Sequence, residues 1–209
     1  LALDGVNLPT AGDVCYAVDT NNQRNSISAG VFNDHIQGTH PSLLDNESEI
    51  PVHTIVIECS LHKGTERLGS GTHNCVYQSC GDANIRTAKS KKVDPRLLFY
   101  KGVPYMINSN ENLKKKRGNG TQCRGVGIKL KDDAEVVWKN WDGKRVKTVG
   151  VDDVEYILCE LLNQSSKKTY FRLKPETDQV TISLKMHGNY QKIGGIKITQ
   201  FGVNCNIAA

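Results

Sequence analysis

No stretch of this chain approaches the roughly 20 consecutive apolar residues that cross a bilayer as a helix. No charged, apolar and small-residue series at its start marks a secretory signal. Aromatic residues are scarce, at 6%, so few rings serve both a core and any surface that stacks bases. Closely paired cysteines are missing as well. Cys15, Cys59, Cys75, Cys80, Cys123, Cys159 and Cys205 are odd in number and widely spread, which favours reduced, intracellular thiols over a disulfide scaffold. A structural zinc site shows repeated close pairs. Cys59, His62, His73, Cys75 and Cys80 come nearest to one, but only Cys75 and Cys80 are close, so no metal is assigned. His35, His40, His53, His62, His73 and His187 fall in no hydrolase or metalloprotease spacing, and no catalytic residue is assigned. Without a secretory signal, the N-x-S/T triplets at Asn46, Asn119 and Asn163 are chance matches.

What is present fits a soluble globular chain. The 209 residues, 38% hydrophobic and 23% charged, suffice for one large domain or two small ones with a real core. The first residue is Leu1 and the only methionines are Met106 and Met186, so the chain reads as a piece of a longer product. The net charge of +5 conceals an asymmetry. Residues 85–131 hold 13 Lys or Arg against Asp94 and Glu111, a balance of +11; the remainder holds 14 basic against 20 acidic residues, a balance of −6. Charge gathered into one block is the footprint of a phosphate-backbone binder, though a solvated basic loop has the same composition.

In chain order, Val14 to Val18 reads as a short buried strand. A polar turn leads to a helix over 26–37, with Ile27, Val31, Phe32 and Ile36 at helical spacing. Strand, turn and helix make half of a parallel α/β unit. Residues 38–51 read as a loop, 52–59 as a strand, 61–81 as loop or irregular chain, and 84–92 as a short basic helix or loop. Leu97 and Leu98 are core candidates. Val103, Tyr105 and Ile107 alternate as a strand, and Gly125 to Leu130 as a second. Between them lie Lys114-Lys115-Lys116-Arg117 and then Gly118-Asn119-Gly120, where Asn-Gly supplies the positive φ of a tight turn. Further on, 134–138 and 145–149 form a hairpin about Asn140-Trp141-Asp142-Gly143. Residues 151–162 suit either helix or strand, and 170–173 with 179–184 suggest a hairpin turning at 174–177.

The central stretch, 100–130, resembles the RecD-like branch of superfamily-one DNA helicases, in particular the petite-integration-frequency and Helitron transposon helicases. There a segment G-x-P-V-M-x-x-x-N precedes N-G-T-x-G-x-V. Gly102, Pro104, Met106, Asn110, Asn119, Gly120, Thr121 and Gly125 fall in that order here. The likeness is strong over 97–130 and weak over the rest of 13–209. Asn25 is similar to a family asparagine that opens a helix near the nucleotide and strand-binding cleft; a plain helix N-cap explains it equally.

The resemblance implies an α/β fold: part of a second RecA-like domain with an inserted small Src-homology-type β-barrel. It divides the chain into a partial RecA-like domain with a basic loop (1–130), the inserted barrel (131–192) and a return strand (193–209). It implies an intact parent that uses ATP and magnesium to unwind DNA from 5′ to 3′, with this piece gripping a single strand and coupling its movement to turnover. Strand contacts are expected at Lys114, Lys115, Lys116, Arg117, Asn119, Thr121 and Arg124. Expected partners are single-stranded or forked DNA and the remaining helicase domains, with no membrane. The expected location is intracellular, nuclear or mitochondrial if eukaryotic.

The sequence has no G-x-x-x-x-G-K-[ST] loop, no acidic strand-end motif for magnesium, and no T-x-H-K-x-Q-G. No cofactor is therefore expected for this chain alone. Two further readings stay open. One is a stand-alone nucleic-acid-binding β-barrel, with Trp138, Trp141, Tyr100 or Tyr105 stacking bases. The other is an inactive remnant or a protein-binding module with a basic loop. Purified chain is expected to show no ATP hydrolysis in a phosphate-release assay; turnover abolished by a point substitution within it would overturn this.

Overall fold

In the computed structural model, Ile27 and residues 54–69, 86–87, 95–108, 117–141, 144–162, 168–186 and 189–205 are described. Most of them are strand. Sheet one has the order β5-β1-β9-β8, built from β1 (Thr54–Glu58), β5 (Arg96–Tyr100), β8 (Val136–Trp141) and β9 (Lys144–Gly150). Sheet two, β11-β10-β7-β6-β14, takes β6 (Pro104–Ile107), β7 (Gln122–Leu130), β10 (Val154–Leu161), β11 (Tyr170–Leu173) and β14 (Val203–Cys205). Sheet three, β3-β2-β13-β12-β4, takes β2 (Ser60–Lys63), β3 (Glu66–Arg67), β4 (Arg86–Thr87), β12 (Pro175–Met186) and β13 (Asn189–Phe201). All described pairings are antiparallel except β1 with β9.

Continuous apolar sequence explains β1 and β5: Ile55, Val56, Ile57, Leu97, Leu98, Phe99 and Tyr100 are all buried, as expected of strands covered on both faces. They share one core with Tyr105, Ile107, Cys123, Ile157, Cys159, Phe171 and Leu173 of sheet two. A smaller core joins Cys59, Leu61, Val180, Ile196 and Ile198 on sheet three. Gln200 ties the two regions. It is 3% exposed, its Nε2 donates to the Ile57 carbonyl at 3.1 Å, and its Oε1 accepts from the Phe201 N–H at 2.9 Å.

Ile27, within the expected helix, is helical and packs against the larger core; the rest of that helix and the expected strand 14–18 lie outside the described residues. Two expectations are corrected and one open alternative is decided. Residues 61–81 are not simply loop: Leu61 is buried and β2 pairs with β13, a partner 130-odd residues away that the local polar composition conceals. The 151–162 segment is a 3-10 turn, Val151–Asp153, leading into strand β10. Residues 174–177 are not a hairpin turn. β11 pairs with β10, whereas β12 starts at Pro175 and pairs with β13; a proline opening a strand looks like a turn when read locally.

Gly125 of sheet two lies directly beneath the Phe99 ring of sheet one. A methyl added there would lie 2.8 Å from the Phe99 ring and 3.0 Å from the Tyr105 ring, whereas one at Gly127 would meet nothing within 4 Å. Gly125→Ala is therefore expected to lower unfolding free energy by about 1–3 kcal/mol in urea titration. Gly127→Ala, two residues along the same strand, should change it by no more than about 0.5 kcal/mol.

Candidate nucleic-acid interface

The motif stretch folds as a hairpin of β6 and β7. Pro104 stands opposite Arg124, Tyr105 opposite Cys123 and Met106 opposite Gln122. Its foot is closed by backbone. The Gly102 N–H donates to Gly125 O at 2.8 Å and the Gly125 N–H to Val103 O at 3.2 Å. Its upper end is closed by Ile107 N–H to Thr121 O at 2.9 Å and Gly120 N–H to Ile107 O at 2.8 Å. Ile107 and Gly120 are thereby held side by side at this end. The Asn108 N–H, donating to Gly202 O at 2.9 Å, anchors that end to the β13–β14 junction.

The turn before β7 is self-supporting. The Thr121 N–H donates to Gly118 O at 3.0 Å, and the Gly118 N–H donates to Thr121 Oγ1 at 3.1 Å. Gly120 sits at φ +87, in the region L side chains avoid. Asn119 and Gly120 are exposed. Arg117 is half-buried, with its guanidinium 5.1 Å from the centre of the Phe171 ring. That contact holds a charge over an aromatic face and turns the start of the turn toward β11.

The structure thus brings Arg117, Asn119 and Thr121 together at one end of the hairpin. Arg124 lies apart, exposed on the outer side of β7 because its neighbours Cys123 and Gly125 point inward. Gly102 occupies the turn entering β6, and Pro104 and Met106 are half-buried on that strand. Lys114, Lys115, Lys116, Asn110 and Asn25 lie outside the described residues. Of the metal candidates, Cys59 is buried and His62 lies on β2; His73, Cys75 and Cys80 lie outside the described residues.

Two expected stacking aromatics are ruled out by burial. Tyr100 is 0% exposed and Tyr105 is 2% exposed. The Tyr105 hydroxyl accepts from the Tyr100 N–H at 2.9 Å and donates to Leu98 O at 3.0 Å, so its polar atom is consumed inside the core. Trp138 differs. It is half-buried on β8 opposite Lys147 of β9. The Arg145 guanidinium lies 5.4 Å and the Lys147 ammonium 5.6 Å from its ring centre. Burial pushes the Lys147 pKa below the usual lysine value.

Sequence reasoning missed a second group of aromatic and basic residues. Tyr156 and Arg172 form a contact of 4.7 Å, and Tyr170 is half-exposed on β11. Strand alternation in Tyr-Phe-Arg-Leu, 170–173, was the signal available: Phe171 and Leu173 are buried, so Tyr170 and Arg172 share the other face. For the turn itself, Gly120→Ala is expected to destabilise the chain by about 1–2 kcal/mol in thermal or urea unfolding, through its left-handed backbone rather than any lost contact.

No protein-family model matches the chain, and no curated protein matches it. Solved structures similar to it are Pif1 helicases. One from Bacteroides sp in complex with ADP-AlF4 shows 13% identity and a TM-score of 0.44, covering 94% of this chain and 31% of that one. Bacteroides Pif1 bound to ssDNA shows 11% identity and a TM-score of 0.45, covering 95% and 31%. Pif1 helicase from Candida albicans shows 12% identity and a TM-score of 0.46, covering 96% and 36%. The chain spans about a third of the length of these structures.

Proposed function

We propose that this chain is part of a DNA helicase of the RecD-like superfamily-one type and that it grips a single DNA strand. The observation that carries the reading is the hairpin itself. Gly102, Pro104, Met106, Asn119, Gly120, Thr121 and Gly125, which fall in the family's order, are set in one β6–turn–β7 unit. That unit frames the loop bearing Lys114, Lys115 and Lys116. A cationic loop on a hydrogen-bonded frame meets a phosphate backbone without having to order its own base on binding. In this reading the parent unwinds DNA from 5′ to 3′ with ATP and magnesium. Residues 131–192 are its inserted β-barrel, 193–209 the return strand, and the remaining helicase domains the other partners. The chain's sequence contains no phosphate-cradling loop, so nucleotide chemistry belongs to other segments of that parent.

A stand-alone nucleic-acid-binding module without catalysis is the second reading. Trp138 between Arg145 and Lys147 favours it, because a ring flanked by cations is a base-stacking unit that needs no motor.

The test is single-strand affinity measured across a salt series. Three phosphates neutralised by Lys114, Lys115 and Lys116 contribute about −2 to the slope of log K against log salt. Replacing all three by Gln should flatten the slope by that amount. Salt-insensitive binding, or a slope that the triple variant leaves unchanged, would overturn the loop's assigned role.

A further inference from the structure

The outer face of sheet two combines rings and cations that the motif does not include. Strand register places Pro104, Arg124, Glu160 and Tyr170 in one row across β6, β7, β10 and β11. The next row along is Gly127, Leu158 and Arg172, and beyond it Lys129 faces Tyr156. The buried residues of the same strands, Cys123, Ile157, Cys159, Phe171 and Leu173, all point the other way. Tyr170, at 50%, is the exposed large hydrophobic among the described residues. Arg124, Lys129 and Arg172 are exposed too.

We infer that this face is a binding platform for single-stranded nucleic acid, with Tyr170 and the Arg172–Tyr156 pair stacking bases and Arg124 and Lys129 meeting phosphates. Charge complementarity selects this occupant. Of the carboxylates on β10, Glu160 has a side chain only 13% exposed that lies 3.9 Å from Lys168, and Glu155 is exposed at the register shift beside Tyr156, at the far end from Tyr170. Lys129 has a contact with Asp132, at 4.0 Å and with that carboxylate fully in solvent, a pairing that solvent screens. Tyr156 stands four residues along β10 from Glu160, the partner of Tyr170. At strand spacing the two rings are about 14 Å apart along the sheet, room for two to three extended nucleotides. Arg172 lies between them, its guanidinium already held against Tyr156, and bases stack on guanidinium planes as well as on rings. The nature of the occupant rests on the single-strand reading above; the surface does not depend on the hairpin loop.

The experiment is fluorescence anisotropy of the full chain with a labelled oligo-dT of about 12 nucleotides, a length within the site sizes of such platforms. Tyr170→Ala and Arg172→Gln are each expected to weaken binding by about fivefold or more, the loss of a base-stacking partner. Tyr170→Phe, which keeps the ring, should bind like the parent. Tyr170 is half-exposed, so these variants keep the fold, and unchanged thermal unfolding will show it. Unchanged affinity in both Tyr170→Ala and Arg172→Gln, with the lysine-loop variant weakened, would overturn the platform and leave the loop assignment standing. No binding of any strand by the parent chain at low salt would overturn both. Polyglutamate binding with the same dependence on Tyr170 would make the face a site for acidic proteins and overturn the inference.

Discussion

The Tyr105 phenol holds a position on which much of the molecule depends. Its hydroxyl accepts from the Tyr100 N–H and donates to the Leu98 carbonyl, joining β6 of sheet two to β5 of sheet one. Its ring lies nearly parallel to Phe99, 6.0 Å between centres and 11° between planes, and both rings close over Gly125. An unpaired N–H at this depth costs about 1–3 kcal/mol. The hydrogen bonds, the stacked rings and the absent side chain therefore act as one constraint: at Gly125, β7 leaves room for the Phe99 and Tyr105 rings that a side chain would take.

That constraint gives the hairpin its character. One half of the motif, Gly102 and Gly125, closes the foot of the hairpin, with Gly125 buried and Gly102 at the surface. The other half, Gly118 to Thr121, shapes a turn at the surface. Arg117 stands between the two, too close to Phe171 to be a purely solvated charge. The described members of the basic block at 85–131 therefore do not form one surface. Arg124 and Lys129 lie on the outer face of sheet two, Arg117 at the hairpin's end, and Arg96 on the strand beside β1.

Much of this was legible wherever burial is local. The strand at 52–59 matched β1, Val103–Ile107 matched β6, and the hairpin at 134–149 matched β8 and β9, because each carries its apolar pattern within a few residues. Leu97 and Leu98 were recognisable as core for the same reason. Pairings across sequence distance were not legible. Nothing near Ser60–Lys63 announces β13 as its neighbour. The run 174–177 reads as a turn until the antiparallel partners of Pro175 to Thr177, Phe201 to Thr199, are known. The aromatics failed for a related reason: Tyr105 and Tyr170 are the same residue type in similar alternation, and only the second layer decides which one is buried.

The parallel pair of β1 and β9 sets Val56 against Thr148 and Glu58 against Gly150, more than 90 residues apart in the chain. An antiparallel hairpin forms from its own turn, but this pair needs a long excursion closed before any ladder bond forms, and the entropy of that closure precedes the gain. β8 and β9, β12 and β13, and β6 and β7 are all hairpins between sequence neighbours. Loop-closure entropy thus favours the hairpins over the long-range pairings, the β1–β9 seam together with β2–β13 and β6–β14. Until the seam closes, the apolar edge of β1, Ile55 to Ile57, has one side open to pairing with a second copy, a hazard that falls with dilution.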